Sequence, residues 1–249
     1  MPSAPVIALV PARSGSKGLP HKNLADLGGF PLLAYSVLAG LLAEAIDRVL
    51  VTSDAPELAE VGIRFGAEAP FLRPAALAND DSPDLGYVRH ALDWLAEAEG
   101  TTPELVVQLR PTTPLRDPQL VDRAVAALRA RPEATGLRSV HQLPEPPQKM
   151  FGIKDGWLTG LFPQDERPEY YNLPRQAFPP AYHPNGYVDV VRPDIVRAQN
   201  GLYGSRVLAC ITPSAIEIDG AEELDYARYL AERDGHPLLE RLRSGQRGG

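Results

Sequence analysis

Apolar positions in this chain follow two rhythms, short unbroken runs and longer stretches with a three-to-four spacing, and the two alternate over the first half. Val6-Ile7-Ala8-Leu9-Val10 is the unbroken kind, which a parallel strand covered on both faces requires. From Pro31 to Ala45 the positions Leu32, Leu33, Tyr35, Leu38, Ala39 and Leu42 predict a helix opened by proline, and Asp47 to Asp54 predicts a second strand. Helices are expected over Pro56 to Gly66, Tyr87 to Glu99 and Pro118 to Ala130, with a buried strand at Leu105 to Leu109. This alternation predicts an α/β fold, a Rossmann-like doubly wound sheet that is mostly parallel, with ligands beyond the carboxyl ends of its strands.

The rhythm changes after Thr135. Gly136 to Val140 predicts a strand, Gln148 to Leu161 a hairpin turning at Asp155-Gly156, and Glu169 to Pro184 a loop-rich stretch. Prolines cluster between Leu143 and Pro184, so residues 143–184 are expected to form an inserted arm on a single domain spanning 1–249. Strands are then expected at Gly186 to Val191, Val207 to Ile211 and Ile216 to Ile218, a closing helix at Ala221 to Arg233, and a frayed tail from Ser244. Trp157, Phe162, Tyr170 and Tyr171 suit either an interface or cover for the chain's own sheet.

Composition narrows the chemistry. The chain has 249 residues, 44% apolar and 23% charged, which excludes a disordered or fibrous protein. A formal charge of −7 excludes the basic footprint of a nucleic-acid binder. Cys210 is the only cysteine, so neither an intrachain disulfide nor a thiolate metal site can form. The N-terminus lacks signal-peptide character and no run reaches membrane-spanning length, so a cytoplasmic protein is expected.

Against that acidic background, three cations fall in one loop. Directly after the first strand comes Ala12-Arg13-Ser14-Gly15-Ser16-Lys17-Gly18, followed by Lys22-Asn23. Small residues allow the backbone to turn its N–H groups inward, and Arg13, Lys17 and Lys22 supply the charge that a polyphosphate needs. The loop fits neither the Walker pattern nor GxGxxG. Far along the chain, Glu217 and Asp219 stand two apart, which on a strand sends both carboxylates to one face as a magnesium site. Asp219 also suits a helix cap, and Asp54 in Asp54-Ala55-Pro56-Glu57 is read as one.

Several of these segments together resemble the acylneuraminate cytidylyltransferase family over roughly residues 5 to 235. Val10 to Gly18 with Lys22-Asn23-Leu24 looks like its nucleotide loop, Val51-Thr52-Ser53-Asp54 like its second strand end, and Arg73-Pro74 like the nucleotide-facing segment. Arg110-Pro111-Thr112-Thr113-Pro114-Leu115-Arg116 is similar to a QPTSPLR-type motif, and Arg175-Gln176, Tyr182 and Asn185-Gly186 to a sugar-side stretch. The resemblance implies Mg2+-dependent transfer of CMP from CTP to the anomeric hydroxyl of an acidic 2-keto-3-deoxy sugar, with pyrophosphate released. It implies catalytic roles for Arg13, Lys17 and Lys22 and nucleotide contacts from residues 12–17, Lys22, Asn23 and Arg73. Sugar contacts would come from Arg110, Thr112, Arg175, Gln176, Tyr182, Asn185 and Asp189, metal ligands from Glu217 and Asp219, and the arm would serve a homodimer. Lys149 is a further cation in the arm. Two positions depart from the family pattern: Arg110 replaces the usual glutamine, and Asp189 stands at the common tyrosine position. An Arg110–Asp189 ion pair is expected, altering the pocket without changing its net charge, and with it a sugar other than N-acetylneuraminic acid, one bearing an amino-type group toward Asp189.

Overall fold

The computed structural model describes residues 4–198 and 201–246. In chain order its elements are β1 (Val6–Pro11), the short strands β2 (Asp26–Leu27) and β3 (Phe30–Pro31), α1 (Leu32–Leu42), β4 (Arg48–Thr52), α2 (Pro56–Arg64), α3 (Asp84–Glu99), β5 (Leu105–Gln108) and α4 (Pro118–Arg129). There follow β6 (Gly136–Gln142), β7 (Phe151–Lys154), β8 (Trp157–Gly160), β9 (Tyr182–Val191), α5 (Pro193–Ala198), β10 (Val207–Ile211), α6 (Ala221–Asp234) and α7 (Pro237–Gln246).

Six strands form the main sheet in the order β10-β6-β9-β5-β1-β4. β1 pairs parallel to β4 and β5, β6 pairs parallel to β10, and only β9 runs against its neighbours β5 and β6. The sheet is therefore mostly parallel, as the alternation predicted. Successive side chains of β1 leave opposite faces. Ala8 and Val10 join Leu33, Val37 and Val125 in one apolar cluster, while Ile7 and Leu9 join Val88, Leu92 and Leu95 of α3 in another. That two-sided burial is why β1 reads as an unbroken apolar run.

The arm grows from the main sheet. Pairing of β6 with β9 continues past the core to Gln142 opposite Tyr182, and Leu143 then donates its N–H to the Ala181 carbonyl at 2.9 Å. Beyond that point β7 and β8 form the expected hairpin around Asp155 and Gly156, both with positive φ. Of the four aromatic residues noted there, Trp157 is 78% exposed, whereas Tyr170 is buried in the arm and packs edge-on against Tyr171.

The structure departs from the sequence expectations at several places, among them the short pair β2–β3 and the earlier start of β9 at Tyr182. Residues 216–218 form no strand; this extended stretch touches the fold through Ile218, whose N–H donates to Thr112 O at 2.7 Å. α5 was not anticipated. α7 extends into the stretch expected to fray, with Leu238, Leu239 and Leu242 buried in a cluster shared with Tyr35 and Ala39 of α1; residues 247–249 of that tail lie outside the described residues. Among the described residues no helix is long and apolar enough to cross a membrane.

Candidate active site

A cleft of about 290 Å³ opens beyond the carboxyl ends of β1, β4 and β5. The basic loop after β1 forms one wall, and its shape is fixed from both sides. The Asn23 side chain donates to Arg13 O at 2.8 Å. On the other side the Asp54 carboxylate accepts from Ser14 N at 2.8 Å and from Ser14 Oγ at 2.5 Å. Partial burial of Asp54 opposes its charge, but the Ser14 bonds outweigh it and hold the carboxyl below its ordinary value.

Lys22 faces the acidic segment. Its Nζ donates to Asp219 at 2.9 Å and to the Ile218 carbonyl at 3.0 Å. A Cβ on Gly18 would overlap the Asp219 carbonyl oxygen, so glycine alone lets the loop close on this segment. Glu217 also lines the cleft, beside Gly186, whose φ of +62 sets the turn there. Arg13 Nη1 and Lys17 Nζ both reach the Asp80 carboxylate, at 2.6 and 2.7 Å.

The far wall is a charged cluster. Arg110 donates to Asp189 at 2.6 Å and to Asp84 at 2.5 Å. Asp189 is 1% exposed and also accepts from Tyr203 Oη at 2.7 Å and, more loosely, from Ser139 N at 3.3 Å. Burial works against the Arg110 charge, and Tyr87, Asp189 and Asp84 more than offset it, so the guanidinium pKa lies above its usual value. Arg73, 5% exposed, bonds Thr52 through Nη2 and Nε and lies over the Tyr87 ring at 4.7 Å.

Behind this wall Arg116 is fully buried, donating to Ser36 Oγ at 2.7 Å and to the Arg110 carbonyl at 2.7 Å. Burial lowers its pKa to about 9. It fastens the turn that carries Arg110 and Thr112.

Residues 7–174 match a family model described as cytidylyltransferase. The chain belongs to the cytidylyltransferase family. An N-acylneuraminate cytidylyltransferase of Escherichia coli O18:K1:H7 is 30% identical over 94% of this chain but only 54% of its own length, so the chain spans about half of that relative. A pseudaminic acid cytidylyltransferase of Campylobacter jejuni (strain 81-176) is 26% identical over 90% of this chain and 95% of the relative. Among solved structures, a CMP:2-keto-3-deoxy-manno-octonic acid synthetase complexed with CTP matches with a TM-score of 0.68 and 17% identity, covering 93% of this chain and all of that one. At that identity the match establishes a shared nucleotidyltransferase fold.

In this member of the family, Arg13, Gly15, Ser16, Lys22, Asn23, Arg73, Arg110, Thr112, Glu217 and Asp219 all border the one cleft. Ala12 is fully buried at the root of the loop, and Lys17, 83% exposed, does not itself line the cleft but bonds Asp80, which does. The expected Arg110–Asp189 pair is present, but Asp189 faces the protein interior and an amino-type group could not meet it without displacing Arg110. Asn185 is also buried, bonded to Thr212 Oγ1 at 2.7 Å, and shapes the turn before Gly186.

Arg175 and Gln176 border a separate arm pocket, and Tyr182 is 44% exposed at the arm's root, so the chain alone does not bring these three to the cleft. Lys149 bonds the Leu173 carbonyl inside the arm. Asp54 is not the cap it was expected to be, and Asp219 does not fill the cap role it also suits. The α2 N-cap is Ala55, with no side-chain bond, and the α6 N-cap is Gly220, whose N–H donates to Glu223 at 2.8 Å. Asp54 instead holds the basic loop through Ser14. Sequence reading passed over Asp80, Asp84, Tyr87 and Tyr203; the run Asp80-Asp81-Ser82 ahead of a helix start was the signal available for the first two.

Proposed function

We propose that this chain transfers CMP from CTP to the anomeric hydroxyl of an acidic 2-keto-3-deoxy sugar of the nonulosonic class and releases pyrophosphate. The observation that carries this reading is that cations of a single glycine-serine loop and the carboxylates of Glu217 and Asp219 border one cleft at the strand ends of a cytidylyltransferase fold. Relatives named for N-acylneuraminate, pseudaminic acid and N,N'-diacetyllegionaminic acid support the substrate class.

In this reading Arg13 and Lys17 hold the β- and γ-phosphates, and Lys22 neutralises charge that develops at the α-phosphate. Backbone N–H groups around residues 15–18 complete the cradle, that of Ser14 being held by Asp54. Arg73 and the neighbouring Tyr87 also line the cleft and suit the nucleoside.

Among the described residues no three acidic, histidine or cysteine side chains converge on one point. Two carboxylates are nonetheless a sufficient protein contribution for Mg2+, which keeps much of its shell as water and substrate phosphate oxygens. Glu217 and Asp219 would hold it, and when bound it would supply charge neutralisation for the leaving pyrophosphate. Asp219 would then share its carboxylate between the ion and Lys22.

Arg175, Gln176, Tyr182 and Lys149 reach a sugar in this scheme only if the arm borders a second copy's cleft. Ile153, Trp157 and Leu158, each at least 66% exposed on the hairpin, suit such a homodimer. A cytoplasmic location fits a CTP-consuming enzyme.

The test is pyrophosphate release from CTP and Mg2+ with a panel of N-acetylneuraminate, legionaminic-type, pseudaminic-type and 3-deoxy-octulosonate acids. Turnover of a legionaminic- or pseudaminic-type acid is expected, at a higher kcat/KM than of N-acetylneuraminate, because Arg110 with its carboxylate Asp84 borders the cleft where the family pattern has a neutral glutamine. Release with the octulosonate alone would reassign the sugar, and binding of CTP without turnover of any acid would make the chain a nucleotide-binding homologue.

A further inference from the structure

We propose that Asp80 is an intramolecular stand-in for pyrophosphate, a residue that sets how tightly the loop holds polyphosphate and lets it go. The inference rests on the assignment of Arg13 and Lys17 to the β- and γ-phosphates.

One carboxylate spans both cations. Asp80 Oδ1 accepts from Arg13 Nη1 at 2.6 Å and Oδ2 pairs with Lys17 Nζ at 2.7 Å. These are the only ion pairs of Arg13 and Lys17 among the described residues. An anion is thus already bound where the proposed function places two phosphates, and CTP can use these cations only by displacing it.

The structure around Asp80 allows that displacement. Asp80 lies in an exposed turn between Leu77 and α3, closed by Ser82 N donating to Asn79 O at 3.1 Å and by Ser82 Oγ donating to Ala76 O at 3.2 Å. Asn79, Asp80 and Asp81 are all exposed, so moving Asp80 away from the loop opens no part of the core. The energetic ordering follows from charge. A tethered carboxylate competes at a high effective concentration but brings a single negative charge, whereas the β- and γ-phosphates bring several.

The consequence is selective. CTP and pyrophosphate compete with Asp80, while the CMP moiety of the product engages Lys22 and leaves Asp80 in place. When the α–β bond has broken, Asp80 retakes Arg13 and Lys17 as pyrophosphate departs. It therefore weakens polyphosphate binding and speeds release of that product.

Asp80→Asn keeps the shape and removes the charge, and Asp81→Asn, next to it and paired with neither cation, is the control. Calorimetric titration of the full chain with CTP, inorganic pyrophosphate and CMP in the presence of Mg2+ reads the effect. Asp80→Asn should lower Kd for CTP and pyrophosphate about three- to tenfold, as two exposed ion pairs allow, and leave CMP within about twofold. Pyrophosphate should become a correspondingly stronger product inhibitor, and Asp81→Asn should match the wild type. A wild type that binds CTP while Asp80→Asn leaves polyphosphate affinity unchanged, or weakens it, overturns this inference alone. A wild type that binds neither CTP nor pyrophosphate overturns it together with the proposed function.

Discussion

Arg110, just past the end of β5, and Asp189, within β9, form a 2.6 Å ion pair in which the carboxylate is 1% exposed. Removing one member of a buried pair leaves the other charge without its counterion, which costs more than the pair contributes in net stability. Asp189→Asn should therefore destabilise the fold by about 3 kcal/mol, with Arg110→Gln recovering part of that loss in the double variant. Urea unfolding of the four proteins measures the coupling. Strictly additive effects would mean that Asp84 alone supports Arg110.

In the proposed reaction Lys22 and the two acids have different parts. Lys22→Ala should lower kcat/KM for CTP by at least about 100-fold with the unfolding midpoint little changed, because one positioned cation at a developing charge has that value. Glu217→Gln should leave CTP binding without metal unaltered and raise the Mg2+ concentration for half-maximal rate by about tenfold. Electron paramagnetic resonance of Mn2+ with CTP present reads metal binding independently of turnover. Equal Mn2+ affinity in the Glu217 variant and the wild type would remove Glu217 from the metal site.

The Asp54–Ser14 anchor has a defined pH sign. Because the folded-state carboxyl is depressed, its stabilising contribution is fully present above the ordinary carboxylate value and disappears as pH falls through the lowered one. Asp54→Asn should weaken CTP binding by about fivefold at neutral pH, the equivalent of about 1 kcal/mol for the hydrogen bonds lost, and the difference should vanish at the acid end. Fluorescence titration across pH follows it; a gap that grew with acidification would contradict the assigned direction.

The hairpin of the arm supplies the fourth expectation. Ile153 and Trp157 are 77% and 78% exposed, so the double change Ile153→Glu and Trp157→Glu should cost the monomer little stability. Sedimentation should show a dimer for the wild type and a monomer for the variant. A monomeric wild type would leave Arg175 and Gln176 without a route to any cleft.

Much of this organisation was legible in the chain itself. The unbroken run of β1 reports burial on two faces, and the loop after it concentrates groups that act locally, so pattern and site were both readable from adjacent letters. The Arg110–Asp189 pair was readable because both residues break one family pattern with opposite charges. Asp54 was misread because Asp-Ala-Pro-Glu gives a capping signature whether or not the carboxylate turns toward the helix; here Ser14, 40 positions away, takes it. Asp80 meets Arg13 from 67 positions away, and nothing periodic marks such a partner. The alternation at 216–218 resembles a strand but lacks a neighbour to complete a ladder. α7 is held by tertiary contact with α1, which local propensity over a ten-residue helix does not reveal.

The missing side chain of Gly18 bears on how the protein is made as well as on its shape. The loop's fit against Asp219 joins segments far apart in the chain, and the contact between Lys22 and Asp219 spans 197 positions. A ribosome-bound fragment that already contains the basic loop therefore lacks the opposing lip of its cleft. Such an unfinished chain would present its cations to nucleotide, yet Asp219, which faces Lys22 across the cleft, is added 197 residues later.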